Sequence, residues 1–203
     1  RITYIQTKNQ GAGHARNVGL SHAKGTYVKF LDADDMLFSD AVARQVACAS
    51  QQDEGQIVYG DVRYVTEKGE IVNEQTGSDR DVNTTEVEYL LVNNIQTARP
   101  LHRRAMLQAV EGFNERLPRA QEYDLHLRLA LYGATFTYCP GWVVTVRAHE
   151  GQDRISNQNF FQTTPRARLN RLQERNTMIR EAGKMTTRIE KQLAQDAWQN
   201  GRR

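Results

Sequence analysis

The chain has 203 residues, 39% hydrophobic and 25% charged, and 27 Lys and Arg against 24 Asp and Glu leave a formal charge of +3. That suits one globular domain with a buried core, with or without an appendage. No apolar run approaches the roughly 18 residues of a spanning helix, and the spacing of the only two cysteines, Cys48 and Cys139, fits neither a disulfide scaffold nor a zinc module.

The chain opens at Arg1, with no Met and no secretory signal, straight into the strand-like run Ile2-Thr3-Tyr4-Ile5, as a fragment would. Gly11-Ala12-Gly13 then opens a helix over 14–23, closed by Gly25 at C′. Tyr27 to Leu31 reads as a second strand, ending at Asp32. This strand, glycine loop, helix and strand predict a βαβ unit with a parallel pair and a right-handed crossover. Ser39 is the expected cap of a helix running to about Gln51. A strand is expected over 56–65, and Glu67-Lys68-Gly69-Glu70 reads as a hairpin turn leading to Ile71-Val72. After a polar loop over 77–83, Thr84 or Thr85 starts a helix through Val92. A short helix spans 103–110 and ends at Gly112. Residues 122–132 place Leu125, Leu129 and Tyr132 at helical spacing. Late strands are expected at 136–138 and 143–146. The pattern is α/β.

Charge is unevenly spread. Residues 166–203 carry a net +6, so the rest carries −3. In this tail Leu169, Leu172, Ile179, Met185, Ile189 and Leu193 recur at roughly helical spacing, with Thr164 at N-cap and Pro165 at N1. Two readings apply: a helical appendage packed on the body, or a basic face drawn to anionic lipid or a partner. Trp198 is the one aromatic residue among these charges, and that scarcity argues against nucleic acid.

Two segments carry chemistry. In Phe30-Leu31-Asp32-Ala33-Asp34-Asp35, carboxylates follow a strand that reads as buried. Ligands of open α/β sheets bind beyond the carboxyl ends of strands. Neighbouring carboxylates repel unless a cation lies between them, and Mg²⁺ or Mn²⁺ suits such oxygen donors beside a diphosphate. The spacing alone fits equally an acidic helix start complementing the helix dipole. In Gly11-Ala12-Gly13-His14-Ala15-Arg16-Asn17-Val18-Gly19, a helix N-terminus favours anions. Arg16 replaces the third glycine of a dinucleotide fingerprint. It can pair with phosphate or carboxylate, and Gly19 reads as a close-packing position.

Together these residues resemble the inverting glycosyltransferases of family 2, with the GT-A fold. The run Asn9 to Leu20 is similar to N-x-G-x-x-x-A-R-N-x-G-L, and Phe30 to Asp35 to the F-L-D-A-D-D metal motif. Gly112-Phe113-Asn114-Glu115 with Gln121-Glu122-Tyr123-Asp124-Leu125-His126-Leu127-Arg128 resembles G-F-x-E and the E-D-x-D-L-x-x-R helix. The match spans roughly residues 1–150. It implies a GT-A, Rossmann-like mixed sheet flanked by helices. A partial domain over 1–160 would lack the first strands and their D-D-G-S element, and a basic helical tail would follow over 161–203.

The resemblance implies transfer of a sugar from a nucleotide-sugar donor to a hydroxyl of a glycan or lipid-linked acceptor, as in bacterial cell-surface polysaccharide synthesis. The setting would be cytoplasmic or peripheral at the inner membrane face. Arg16, Asn17, Asp32, Ala33 and Asp34 would lie on the donor side, and Asp34 and His149, in an R-x-H element, near Mg²⁺ or Mn²⁺. Gln121 and Trp142 would lie on the acceptor side. Glu122 would be the base, standing where the family has Asp, with one methylene more of reach. Each has a plainer reading as well: Glu122 as a first-turn acid, His149 as a loop histidine, Trp142 as packing, Asp124 and Arg128 as a helical pair. Two other function classes also fit the sequence, a non-catalytic sugar- or lipid-binding module and a nucleotidyltransferase.

Overall fold

The computed structural model describes residues 2–77, 80–147 and 165–201. Its sheet is built around two long strands rich in β-branched and aromatic residues, β3 (Gln56–Val65) and β6 (Thr135–Arg147), which pair in parallel. β5 (Pro100–Arg103) joins β3 antiparallel, and β1 (Tyr27–Val28) joins β5 antiparallel. β2 (Met36–Leu37) lies antiparallel on the other side of β6. The order is β1-β5-β3-β6-β2, and β4 (Ile71–Gln75) pairs with β3 through a hairpin. Gly69 turns that hairpin at φ +85°, a conformation that side chains disfavour.

Seven helices are described: α1 (Ala12–His22), α2 (Ala41–Ser50), α3 (Glu86–Val92), α4 (Arg104–Ala109), α5 (Gln121–Tyr132), α6 (Pro165–Glu181) and α7 (Thr187–Gly201). Thr85 caps α3 in a capping box with Glu88. Alternate β3 residues feed different layers. Ile57 and Tyr59 pack with Leu20, Leu107, Leu125 and Leu129, while Val58 packs with Leu101 and Ala49 of α2.

Several expectations need correction. Residues 2–5 form no strand and are exposed. A strand needs a partner's backbone groups, and β1 finds its partner in β5, so the parallel βαβ pair is absent among the described residues. α1 ends at Ala23, whose backbone turns extended, before Gly25 is reached. Asp40, not Ser39, stands at the N-cap of α2. The two late strands are one, with register shifts around Asp61 where β6 carries extra residues. Gly19 meets nothing within 4 Å, so no element packs on it.

The tail packs onto the body. Ile179 and Ile189 are fully buried and, with Leu172 and Leu193, join the main core, while Leu169 stays exposed. α7 also bonds to α3's start, since Thr186 donates to Glu88 at 2.8 Å. Pro165 begins α6 as expected; Thr164 lies outside the described residues.

The core encloses a histidine pair. His102 of β5 and His126 of α5 stack at 5.5 Å, with Nε2 atoms 3.4 Å apart. Burial lowers both pKa values, His126 to about 3, and His102 also feels His126 and Lys29. An unfolded imidazole takes its proton near the ordinary value of 6.5. The pair's contribution is therefore complete above about pH 6.5 and is lost as pH falls towards about 3. Denaturant midpoints measured across that window fall with acid, and His126→Leu, of similar volume, makes the fall shallower.

Candidate functional site

α1 starts at Gly11, held at φ +92°, with Asn9 Oδ1 accepting from the Gly11 N–H at 3.1 Å. Gly13 follows, and a Cβ there would press on the Gln121 amide at 3.2 Å. This close approach lets Arg16, one turn on, span two segments. Its Nη2 donates to Asp32 Oδ1 at 2.7 Å and its Nη1 to Gln121 Oε1 at 3.0 Å. The guanidinium also lies 5.3 Å from the Phe113 ring centre. Gln121 Nε2 donates to the Leu117 carbonyl at 2.6 Å, which fixes the amide's orientation.

Asp32 begins a tight turn in which the Asp35 N–H donates to the Asp32 carbonyl at 3.1 Å. Ala33 and Asp34 are exposed on it and Asp35 is buried.

Asn17 holds the loop before α5. Its Oδ1 accepts from the Phe113 N–H at 2.8 Å, and its Nδ2 donates to the Phe113 carbonyl at 2.9 Å and to Glu115 Oε1 at 2.8 Å. Gly112, at φ +66°, has no room for a Cβ beside Asn17. Glu115 Oε2 also meets His14 Nδ1 at 2.9 Å. Asn17 first, then His14, hold the Glu115 carboxyl below its usual range.

Glu122 sits in the first turn of α5, where the helix dipole favours a carboxylate. Asn94, on the loop after α3, donates to Glu122 Oε1 at 3.2 Å. The helical pair Asp124–Arg128 is present at 2.7 Å, and Arg128 also donates to the Val110 and Gly112 carbonyls.

The structure thus brings Arg16, Asp32 and Gln121 into one bonded group, with Glu122 next in the chain; Asn17 bonds instead to Phe113 and Glu115. Trp142 is instead under Arg63, whose guanidinium lies 4.7 Å from the indole, and its carbonyl accepts from Arg44 at 2.6 Å. His149 lies outside the described residues. Sequence reading missed Asn94, a loop residue with no motif around it, and the His14–Glu115 contact, for which Glu115's place in G-F-N-E was the only signal.

Among the described residues no three His, Cys, Asp or Glu gather as metal ligands. Asp32 and Asp34 offer hard oxygen donors on one turn, with Asp35 buried at its end. Such a pair fits Mg²⁺ or Mn²⁺, which keep water and substrate oxygens as further ligands.

The model of the family described as glycosyltransferase like family 2 matches residues 2–162. The chain belongs to that family. It is 28% identical over 165 residues to an uncharacterized glycosyltransferase of Rickettsia felis, a match covering 78% of this chain and 27% of that protein. It is 28% identical to chondroitin synthase of Escherichia coli, over 66% of this chain and 19% of the synthase. It is 32% identical to the amylovoran biosynthesis glycosyltransferase AmsB of Erwinia amylovora, over 66% of this chain and 46% of AmsB. The chain thus spans less than half the length of these relatives. The crystal structure of Staphylococcus aureus TarS 1–349 in complex with UDP-GlcNAc superimposes with a TM-score of 0.62, at 18% identity, over 88% of this chain and 50% of that one. The fold is accordingly the GT-A type of mixed α/β sheet.

Replacing Asn17 with Ala removes three hydrogen bonds and leaves the Phe113 amide without its partners. The expected loss is about 2–4 kcal/mol of unfolding free energy by denaturant titration. Asn17→Asp is also destabilising, because its carboxylate would face Glu115.

Proposed function

We propose that this family 2 chain transfers a sugar from a nucleotide-sugar donor to a hydroxyl of a glycan or lipid-linked acceptor, with inversion, in the synthesis of a bacterial cell-surface polysaccharide. The observation that carries this reading is the Arg16 bridge, which ties the D-x-D turn to Gln121, the residue before Glu122. In this reading Glu122, the next residue of α5, is the candidate base of that site. The relatives named for chondroitin and amylovoran support the polysaccharide, and the UDP-GlcNAc complex of TarS supports the donor class.

In this reading the Glu122 carboxylate takes the proton of the acceptor hydroxyl. The acceptor oxygen bonds to the anomeric carbon as the bond to the diphosphate breaks on the opposite side, so one displacement inverts the centre. Arg16 offers the diphosphate a guanidinium fork. Asp34 would hold Mg²⁺ or Mn²⁺, with His149 a further ligand by family resemblance and Asp32 on the donor side, and the ion would supply counter-charge for the leaving nucleoside diphosphate. Asn94, at Glu122 Oε1, orients the base. Release of UDP from a panel of UDP-sugars, UDP-GlcNAc among them, is the measurement. Glu122→Gln lowers turnover by about 10²–10⁴ and Asp34→Ala removes its dependence on Mn²⁺; unchanged turnover in both variants rejects these roles.

Peripheral membrane contact belongs to the same proposal and rests on charge. No described helix is long and apolar enough to cross a membrane, and most of the tail's apolar residues are used in the core. Arg166, Lys184 and Lys191 are exposed. Binding to anionic vesicles, absent with neutral ones and weakened by salt, falls when these three are changed to Glu. Equal binding by that variant removes the membrane from the proposal.

A further inference from the structure

The last turn of α2 brings the chain's only two cysteines together. Cys139 of β6 is buried in a small cluster with Ala49, Val58 and Leu101, and half-exposed Cys48 packs against the same cluster from α2. Cys139 Sγ lies 4.0 Å from the Arg44 carbonyl, which is one helical turn before Cys48. Both thiols thus pack against one cluster at the last turns of α2, and neither is in a disulfide.

We propose that Cys48 and Cys139 are a modification site at which hydrogen peroxide forms a reversible intramolecular disulfide, cross-linking α2 to β6. Exposure sets the order of events. Burial pushes the Cys139 thiol up to about 12, with the adjacent Cys48 adding to the rise, so Cys139 keeps its proton. Cys48, which solvent reaches, attacks first. Its sulfur bonds to one peroxide oxygen as the O–O bond breaks, and the Cys48 proton leaves with the departing hydroxide as water. The Cys139 sulfur then attacks the sulfenic sulfur. The S–S bond forms, the S–O bond breaks, and the hydroxyl leaves as water with the Cys139 proton. Two thiols are oxidised and one peroxide becomes two waters; a dithiol reverses the reaction. Because α2 follows the Asp32–Asp35 turn through β2, the cross-link fastens the segment leaving that turn to β6.

The test treats the folded chain with hydrogen peroxide, unfolds it, alkylates it with N-ethylmaleimide and reads its mass. The proposal expects a monomer with no maleimide adducts, two hydrogens lighter, yielding a linked Cys48–Cys139 peptide that dithiothreitol releases. The long loop closed in the unfolded state raises Tm by on the order of 5–10 °C over the reduced chain. Cys48→Ser, a change at the half-exposed position, leaves Cys139 alkylatable after the same treatment. Two free thiols after oxidation, Cys48 as a sulfinic acid beside a free Cys139, or cross-links only between chains would each overturn the proposal.

Discussion

The parallel ladder between β3 and β6 is the constraint on which the other elements depend, and its tightest point is at Gly60 and Asp61. A Cβ on Gly60 would lie 2.3 Å from Val143 Cγ2 and 2.8 Å from the Gly141 carbonyl, so only glycine lets the strands meet there. Asp61, next along, is 5% exposed, and a buried carboxylate is costly unless well bonded. It is: the Gly77 and Gly141 N–H groups donate at 2.9 and 3.1 Å and the Tyr138 hydroxyl at 2.8 Å. Those bonds absorb the register shifts on either side of Asp61. They let β6 carry Pro140 and Gly141 without breaking the ladder.

From this spine the sheet sets directions and polar side chains set the site. β5 runs against β3 and β1 against β5, so β1 points the same way as β3 and delivers the Asp32 turn at that end. Behind β1, burial pushes the Lys29 ammonium down to about 7, while its Nζ donates to Gln45 Oε1 and the Arg99 carbonyl. Backbone pairing ends before the turn, and what places Asp32 relative to α5 is the Arg16 guanidinium. Gln121 gives that guanidinium a neutral acceptor, so Asp32 is the carboxylate opposing its charge in this group.

What could be read from the sequence was local. The start of α3 at Thr84 or Thr85, the Gly69 hairpin, the helical spacing of Leu125, Leu129 and Tyr132 and the run of β3 all depend on residues within a few positions of one another. The glycines before Arg16 and the carboxylates after Phe30 were legible because their chemistry follows from type and spacing, and the three stretches in order carried the family. Partner choice was not legible. Whether Tyr27-Val28 pairs with residues 2–5 or with Pro100–Arg103 is decided by tertiary packing. Trp142 reads as acceptor-side or as packing, and its ring lies under Arg63, a neighbour on β3 that no motif marks. Asn94 is invisible for the same reason, since only folding brings the end of α3 to the start of α5.

The tail shows how far a charge argument reaches alone. A +6 segment beside a −3 body invites an electrostatic account of their union. The bonds say otherwise. Exposed ion pairs such as Arg180–Glu190 contribute about 0–1 kcal/mol, whereas burying an isoleucine such as Ile179 or Ile189 is worth about 1.5–3 kcal/mol. Apolar burial therefore docks the helical hairpin of α6 and α7, and the polar contacts fix where it docks. Thr186 meets the Glu88 that completes the α3 cap, and Arg175 lies 3.9 Å over the ring of Tyr123, the residue after Glu122. Tyr123 in turn donates to the Leu91 carbonyl of α3. The hairpin thereby holds α3 and α5 together at the point where Asn94 meets Glu122, and loosening it loosens the candidate base.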